Sequence, residues 1–312
     1  MTTLDERPVA VDLPAAEFIG VFEPGSSEWH AARADGIGGS EIAGVLGISP
    51  WESAFSLWHR KRGHVPPRMA NTEMDAGRRL EPVICDAFAE RHPEFRMATT
   101  GTFRNRERPW QIANPDRLLF DVLSPGTGPH AVLEVKFALN GEQWGSEESG
   151  RVPDHYVSQA LWYLDTLGLS RCYLMVFIGA LGEFREYVIN SAVPDDIRLM
   201  RDAGAEFMRQ VNENIRPKID GHEQTLNAVK VLPEGMVDLD VQIWPLLRDQ
   251  YFDALDAFKA AEEEKRRAQA LVLDQIGDGH RALCGRERVA TRTVRDGKTY
   301  SLQPARNRGI AA

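Results

Sequence analysis

The feature of this sequence that most constrains its fold is the run over residues 132–137, in which apolar residues alternate with Glu134 and Lys136. Side chains point alternately to the two faces of a β-strand, so a strand here places both charges on one face, opposite Leu133, Val135 and Phe137. Two charges on a buried strand are costly unless they are paired, hydrated or bound to a metal ion. The run therefore predicts a strand of a packed sheet that carries a polar site.

Other segments predict the elements around this strand. Short apolar runs bounded by Pro and Gly predict strands over residues 99–104, 111–113, 118–122, 131–137, 172–178 and 185–189. Apolar residues at helical spacing predict helices over residues 40–46, 50–62, 74–91, 154–168 and 195–215. Ser49 and Glu52 have the spacing of a capping box for the second of these helices, and Pro82 is expected to kink the third or to mark its start. Together these elements predict an α/β fold with a mixed central sheet flanked by helices.

Changes in composition divide the chain into three regions. Residues 1–24 are Pro-rich and irregular and are expected to form an N-terminal arm, whereas residues 25–220 contain the strands and helices described above. Residues 221–312 are expected to form a C-terminal extension. Within it, residues 245–276 predict a long charged helix, and residues 288–302 predict a β-hairpin that turns at Asp296 and Gly297.

The composition of the 312 residues excludes several classes of protein. The three cysteines follow no metal-binding spacing, which argues against a disulfide framework and a zinc site, and an iron–sulfur cluster needs more thiolates than this. The net charge of −9 argues against a protein that coats nucleic acid non-specifically, but not against one whose basic groups line a single channel. The sequence shows no signal peptide and no membrane-spanning run, so a cytoplasmic location away from membranes is expected.

A second acidic motif, Asn114-Pro115-Asp116, lies just before a predicted strand. Two carboxylates and a lysine are what the metal-assisted hydrolysis of a phosphodiester needs. Carboxylate oxygens suit Mg²⁺ or Mn²⁺, and such an ion polarises the phosphate and lowers the pKa of a bound water. Asp116, Glu134 and the carbonyl of Val135 are the expected metal ligands, and Lys136 is expected to face the attacking water. A turn-forming Asp116 and a surface strand with a cross-strand ion pair are the alternative interpretation.

Five motifs in order give the chain a resemblance to a known family. They are Trp29-His30-Ala31-Ala32-Arg33 with Ile37-Gly38-Gly39-Ser40-Glu41-Ile42, Gly77-x-x-x-Glu81-Pro82, Asn114-Pro115-Asp116, Leu133-Glu134-Val135-Lys136, and Tyr156-x-x-Gln159-x-x-x-Tyr163. Their order and spacing over residues 25–189 resemble those of the YqaJ viral recombinase family, the relatives of phage lambda exonuclease within the PD-(D/E)xK nuclease superfamily. The resemblance implies a nuclease core of the restriction-endonuclease type in residues 25–220.

The resemblance also implies roles for the acidic residues and the lysine. The matching Asp116 and Glu134 would bind the catalytic metal ions, Lys136 would serve the nucleophilic water, and Glu81 would reach a second metal ion. Glu81 lies at the edge of an apolar helical face, where a carboxylate is tolerated when an ion compensates it. A solvated glutamate in the first turn of the helix is the alternative for this residue.

Four further residues are placed in the site by the same resemblance. Gln159 and Tyr163 would line the catalytic pocket, and Arg33 and Ser40 would contact the terminal 5′ phosphate of DNA and the backbone nearby. An arginine fork and a hydroxyl are suitable partners for a phosphate. The sequence departs from the family at Arg117, where the family usually has Gly, and a side chain there would crowd or supplement the phosphate site.

Two other polar features have competing interpretations. His155 belongs to the same polar stripe as Gln159 and Tyr163, with an ordinary exposed face as the alternative. The basic run over residues 59–62 ends a predicted helix. It is interpreted either as the border of a DNA channel or as a solvated helix face that the helix dipole favours.

The function that the resemblance implies is Mg²⁺-dependent hydrolysis of DNA by in-line attack of water. It extends to 5′-to-3′ resection of linear double-stranded DNA in phage-type recombination. The implied partners are double-stranded DNA, a single-strand annealing protein and further copies of the chain, since family relatives form ring-shaped trimers. Two alternatives stay open: a structure-specific or nicking DNA endonuclease, which cuts closed circular DNA, and a catalytically silent DNA-binding or assembly module, which binds no metal.

Overall fold

The computed structural model of the chain describes residues 8–11, 13–23, 25–66, 72–124, 126–231 and 235–305. Internal contacts divide the chain into two units, Met1–Gly235 and Met236–Ala312, which we call unit 1 and unit 2. All residues of the predicted site belong to unit 1.

Unit 1 alternates helices with short strands, as the two periods of the sequence predict. Its described helices are α1 (Ser27–Ala34), α2 (Gly39–Val45), α3 (Ala54–Lys61), α4 (Thr72–Arg91), α5 (Asp154–Leu167), α6 (Pro194–Asn212) and α7 (Glu223–Val229). Its described strands are β1 (Ala16–Gly20), β2 (Ile37–Gly38), β3 (Phe95–Ala98), β4 (Thr102–Asn105), β5 (Gln111–Ala113), β6 (Arg117–Asp121), β7 (Ala131–Ala138), β8 (Arg171–Ile178) and β9 (Glu183–Asn190).

A five-stranded sheet forms the centre of unit 1, in the order β3-β6-β7-β8-β9. Strands β7 and β8 are parallel, with Glu134 opposite Leu174, and the other neighbouring strands are antiparallel. Helix α5 lies in the connection between the parallel pair, since parallel strands need a long crossover. The prediction of a mixed sheet flanked by helices is confirmed.

The two faces of this sheet pack against different helices because the side chains of β7 alternate. Leu133 belongs to a buried apolar cluster with Ile84 of α4. Its neighbour Val132 belongs to another cluster, with Trp162 of α5. Glu134, two positions after Val132, therefore lies on the face that α5 covers.

A second sheet of unit 1 has four strands in the order β1-β4-β5-β2. The indole N–H of Trp162 in α5 donates to the backbone carbonyls of Ile37 in β2 and Ile112 in β5, over 3.1 and 3.2 Å. Trp162 is completely buried. These bonds fix α5 against the strand that leads into the Asn114-Pro115-Asp116 motif.

The beginning and the end of unit 1 differ from the sequence predictions. The region 1–24, expected to be irregular, contains β1, and Phe18 of this strand packs on Phe103 of β4 with ring centroids 5.5 Å apart. Helix α7 lies in the region assigned to the C-terminal extension, but it packs on α3, where the hydroxyls of Ser53 and Thr225 are 2.6 Å apart.

Two helix starts also differ from prediction. Helix α3 begins at Ala54 rather than at Pro50, because Ser53 and Ser56 cap it reciprocally. The Ser49 hydroxyl instead accepts a hydrogen bond from the backbone N–H of Trp51 within the preceding turn. Pro82 lies inside α4, which already includes Thr72, so it does not mark the start of that helix.

Unit 2 contains α8 (Pro245–Ile276) and an antiparallel sheet of β10 (Arg281–Cys284), β11 (Glu287–Arg295) and β12 (Lys298–Pro304). Asp296 and Gly297 have φ angles of 50° and 72°, as a tight two-residue hairpin turn requires. The predicted C-terminal helix and hairpin are confirmed, and β10 adds a strand to the hairpin. In the described part of the chain, no helix combines the length and the apolar character needed to cross a membrane.

Candidate active site

The two acidic motifs of the sequence meet where β6 begins beside β7. Asp116 directly precedes β6, and its Oδ2 atom accepts a hydrogen bond of 2.8 Å from the backbone N–H of Val135. This bond holds the Asp116 carboxylate against the strand that carries Glu134. Burial and the Glu134 carboxylate raise the pKa of Asp116 well above its usual range. The structure therefore brings the two carboxylates together.

Glu134 is almost completely buried and is held by two donors. Its Oε1 atom accepts hydrogen bonds from Nζ of Lys136, at 2.5 Å, and from Nε2 of Gln159, at 2.6 Å. The same Gln159 nitrogen donates to the hydroxyl of Tyr163 over 3.1 Å. The other oxygen, Oε2, is also buried and has no hydrogen-bond partner among the described residues. One carboxylate oxygen is thus fixed, and the other is available to a further ligand.

Lys136 lies on the same face of β7 as Glu134. Its ammonium nitrogen is 5.0 Å from the ring centroid of Tyr156. Burial disfavours the charge, but the carboxylates of Glu134 and Asp116 outweigh burial and raise the pKa of Lys136. Lys136 is therefore a positively charged donor within the site.

His155, which lies near Lys136, is uncharged. Burial and the charge of Lys136 lower the pKa of His155 to about 4, so the ring is neutral near pH 7. The ring is half-buried and packs edge-on against Trp51, with centroids 4.7 Å apart. His155 is therefore part of the wall of the site rather than of an exposed face.

Glu81 of α4 is paired with Arg117, the residue that follows Asp116. Nη1 of Arg117 donates to Oε1 of Glu81 and to the backbone carbonyl of Asp116, each over 2.6 Å. The Arg117 side chain is 10% exposed and that of Glu81 28%. Among the described residues, no three His, Cys, Asp or Glu side chains are grouped to hold one metal ion.

Arg33 and Ser40, predicted to bind phosphate, lie side by side. Nη2 of Arg33 donates to the Ser40 hydroxyl over 3.4 Å, and Nη1 donates to Oδ1 of Asn114 over 3.3 Å. The guanidinium needs Gly38 beside it, since a Cβ there would lie 2.2 Å from Nη2. Because Asn114 belongs to the motif of Asp116, the two predicted parts of the site are directly connected.

Glu41 has a position in this region that the sequence patterns do not predict. Its Oε2 atom accepts hydrogen bonds from the backbone N–H of Gly38, at 2.8 Å, and from Nζ of Lys61, at 2.9 Å. The guanidinium groups of Arg33 and Arg60 lie 3.7 and 3.5 Å from its carboxylate. Burial by itself would raise the pKa of Glu41, but these cations lower it to about 2. Glu41 therefore orients Arg33. Its place three residues after Gly38, at the start of α2, is the sequence signal for its bond to the Gly38 backbone.

Lys61, a member of the basic run over residues 59–62, is buried and does not belong to a solvated face. Its side chain is 5% exposed, and its ammonium group also donates to the backbone carbonyl of Arg33 over 2.8 Å. The physical reason is the buried Glu41 carboxylate, which needs a cation beside it.

We expect the substitution Glu41→Gln to reduce the stability of unit 1 by about 3 kcal/mol at pH 7, because it leaves buried cations without their counter-charge. The pKa of Glu41, about 2 in the folded protein, lies below its ordinary value of 4.5. The stabilisation by its charge is therefore complete above pH 4.5 and is lost as the pH falls toward 2. Urea unfolding should show a large difference between wild type and variant at pH 7 and a smaller one at pH 3.

Glu206→Gln is the matched control for this experiment. Its pKa is also lowered to about 2, by Arg209 and Gln210, but the glutamate and Arg209 are exposed on the surface of α6. Water screens such a pair, so little change in stability is expected. Equal effects of the two substitutions, or an effect of Glu41→Gln that does not shrink at pH 3, would contradict the prediction.

Seven of the nine predicted site residues line one cleft of about 600 Å³ in unit 1. The lining includes Arg33, Ser40, Glu81, Asp116, Val135, Lys136 and Gln159. Glu134 and Tyr163 are buried and are not part of the lining. The phosphate-binding and acidic parts of the predicted site therefore share a continuous surface.

Residues 28–170 match the family of the YqaJ-like viral recombinase domain. The match covers less than half of the chain. The matched range contains every residue of the predicted site, and the family that the motifs predict is confirmed. Over 207 residues the chain is 32% identical to the uncharacterized protein YqaJ of Bacillus subtilis (strain 168). The similarity covers 64% of this chain and 60% of YqaJ, so the chain spans less than two thirds of that relative.

One solved structure shows a similar fold. LHK-Exo in complex with dAMP is 16% identical, with a TM-score of 0.51, and the match covers 61% of this chain and 94% of that chain. A structure of the alkaline exonuclease LHK-Exo from Laribacter hongkongensis is 17% identical, with a TM-score of 0.48 over 61% and 97% of the two chains. The likeness to the first structure agrees with the fold class that the sequence predicts for the YqaJ-like domain.

Proposed function

We propose that this chain is a metal-dependent nuclease that hydrolyses DNA phosphodiesters and degrades linear double-stranded DNA from its 5′ ends. The observation that carries the proposal is the meeting of Asp116, Glu134 and Lys136 on one face of the sheet, at a cleft that also contains Arg33 and Ser40. The family of residues 28–170 supports it.

The residues present fit a hard divalent cation such as Mg²⁺ or Mn²⁺. The Oε2 atom of Glu134 is a buried carboxylate oxygen without a partner among the described residues, and a cation would compensate it. Asp116, Glu134 and the carbonyl of Val135 are the proposed ligands. When bound, the ion would polarise the scissile phosphate and lower the pKa of a water molecule.

The remaining side chains of the site hold this arrangement in place. Lys136 donates to Glu134 and reaches the surface of the cleft, where it can also donate to the attacking water. Gln159 fixes the same oxygen of Glu134. Donors that are fixed before DNA binds need little reorganisation when charge develops on the phosphate.

Arg33 and Ser40 are proposed to bind the terminal 5′ phosphate. The Ser40 side chain is exposed at the start of α2, and the Arg33 guanidinium beside it is oriented by Glu41. A bidentate guanidinium and a hydroxyl suit a phosphate group. Recognition of a terminal phosphate favours cleavage at a DNA end over cleavage within a strand. The place of the reaction in phage-type recombination, an annealing protein as partner and a homo-oligomer are part of the same proposal.

The test uses linear duplex DNA labelled at the 5′ phosphates or at the 3′ ends, in Mg²⁺ and in EDTA, beside closed circular duplex. We expect early release of the 5′ label as mononucleotide in Mg²⁺, no release in EDTA and an intact circle. Earlier release of the 3′ label would overturn the polarity. A nicked circle would favour the endonuclease alternative, and binding without cleavage would favour the silent module.

A further inference from the structure

Arg117 stands where the YqaJ-like pattern usually has a glycine, and its side chain is committed to one carboxylate. A guanidinium stays charged at any pH of interest, so a buried one needs a counter-charge. Arg117 is 10% exposed and finds that charge in Glu81, over 2.6 Å. The second bond of the same nitrogen, to the carbonyl of Asp116, fixes the guanidinium next to the acidic pair.

Strand geometry explains why Glu81 meets Arg117 and not the carboxylate of Asp116. On β6, Leu119 packs in the cluster that α4 covers, and Leu118 packs in the cluster that α5 covers. Because side chains alternate, Arg117 faces α4, which carries Glu81. The side chain of Asp116 points to the opposite face of the sheet, the face that carries Glu134.

The charged groups of the site are bonded in two neighbouring sets. Asp116 and Glu134 have Lys136 as their nearby cation, and one Glu134 oxygen has no hydrogen-bond partner in the described structure. In the described part of the chain, Arg117 is the cation that pairs with Glu81. A divalent ion at Glu81 would have to displace this guanidinium and would lie against its charge.

We propose that Arg117 takes the place of a second metal ion: the centre binds a single divalent cation, at Asp116 and Glu134, and Arg117 neutralises Glu81 so that no second ion enters. This inference rests on the proposed function, because the first ion belongs to that function. Arg117 is a positioning residue, since it acts through Glu81 and does not line the cleft.

The test counts bound Mn²⁺ by titration, using the electron paramagnetic resonance signal of the free ion. Wild type is expected to bind a single Mn²⁺ at the centre. Arg117→Gly frees the Glu81 carboxylate and should double the number bound, and Glu81→Gln in that background should return it to one. Arg117→Lys keeps the positive charge and should also bind one.

The variants separate failure of this inference from failure of the proposed function. Two ions in wild type, or one in Arg117→Gly, would overturn the inference and leave the nuclease proposal intact. Glu81→Gln alone should bind as wild type does, so a loss of binding there would also overturn it, even if Arg117→Gly does not fold. Asp116→Asn should lose the single ion. No binding in wild type, or unchanged binding in Asp116→Asn, would overturn both the proposed metal centre and the inference.

Discussion

The substitution Asp116→Asn is expected to abolish DNA hydrolysis and, at the same time, to raise the stability of the metal-free protein. The activity falls because a ligand of the proposed ion is lost. A metal ion stabilises charge in the transition state by several kcal/mol, which corresponds to at least about 10³-fold in rate. Rates of mononucleotide release from linear duplex measure this effect.

The gain in stability follows from the crowding of charge at this end of the sheet. The carboxylates of Asp116 and Glu134 lie near each other, and the ammonium group of Lys136 is bonded to Glu134. An amide at position 116 removes the repulsion and can still accept the hydrogen bond from Val135. Relief of about 1 kcal/mol would raise the melting temperature in EDTA by roughly 2–4 °C.

Asp195→Asn is the matched control, because Asp195 is exposed on α6 and pairs with the exposed Arg198. It should change neither the rate nor the melting temperature. Mg²⁺ should raise the melting temperature of wild type and of this control, but not that of Asp116→Asn, since ligand binding stabilises only a protein that binds it. A melting temperature several degrees lower in Asp116→Asn would show instead that the carboxylate stabilises the fold.

The parts of the fold that the sequence predicts are those with a clear local signal. The alternation around Glu134 and Lys136 predicts their shared face, which the bond between them shows. The helix α8 begins at Pro245 and ends before a glycine, where the predicted helix begins and ends. Both features depend on neighbours in the sequence, so a periodic pattern is enough to find them.

The parts that the sequence does not predict depend on pairs of residues far apart in the chain. Nothing near Lys61 indicates that a buried Glu41 will draw it inward, because that contact follows from the packing of α2 and α3. The same holds for Arg117 and Glu81, whose pairing depends on which face of β6 meets α4. The family motif places Glu81 near the site, but only the structure shows its partner.

Removal of Lys136 should have the opposite effect on stability from removal of the Asp116 charge, although both variants lose activity. Lys136→Met takes away the ammonium that serves the proposed water, and loss of a proton-transfer or orienting group costs about 10²–10⁴-fold in rate. It also leaves the Glu134 carboxylate without a cation, with Gln159 as its remaining donor. Breaking a buried pair in this way costs about 3 kcal/mol, or roughly 6–12 °C in melting temperature in EDTA.

Melting temperatures measured with Mg²⁺ test whether the missing positive charge is what destabilises Lys136→Met. If Glu134 is a ligand, the ion supplies the missing positive charge, so the melting temperature of Lys136→Met should rise more with Mg²⁺ than that of wild type. Lys230→Met is the matched control, because Lys230 is exposed at the end of α7, and it should leave rate and stability unchanged. A Lys136→Met protein that is as stable as wild type in EDTA would mean that Glu134 does not depend on this cation. Full activity in that variant would remove Lys136 from the proposed site, because no other lysine or arginine of the described chain bonds to Glu134.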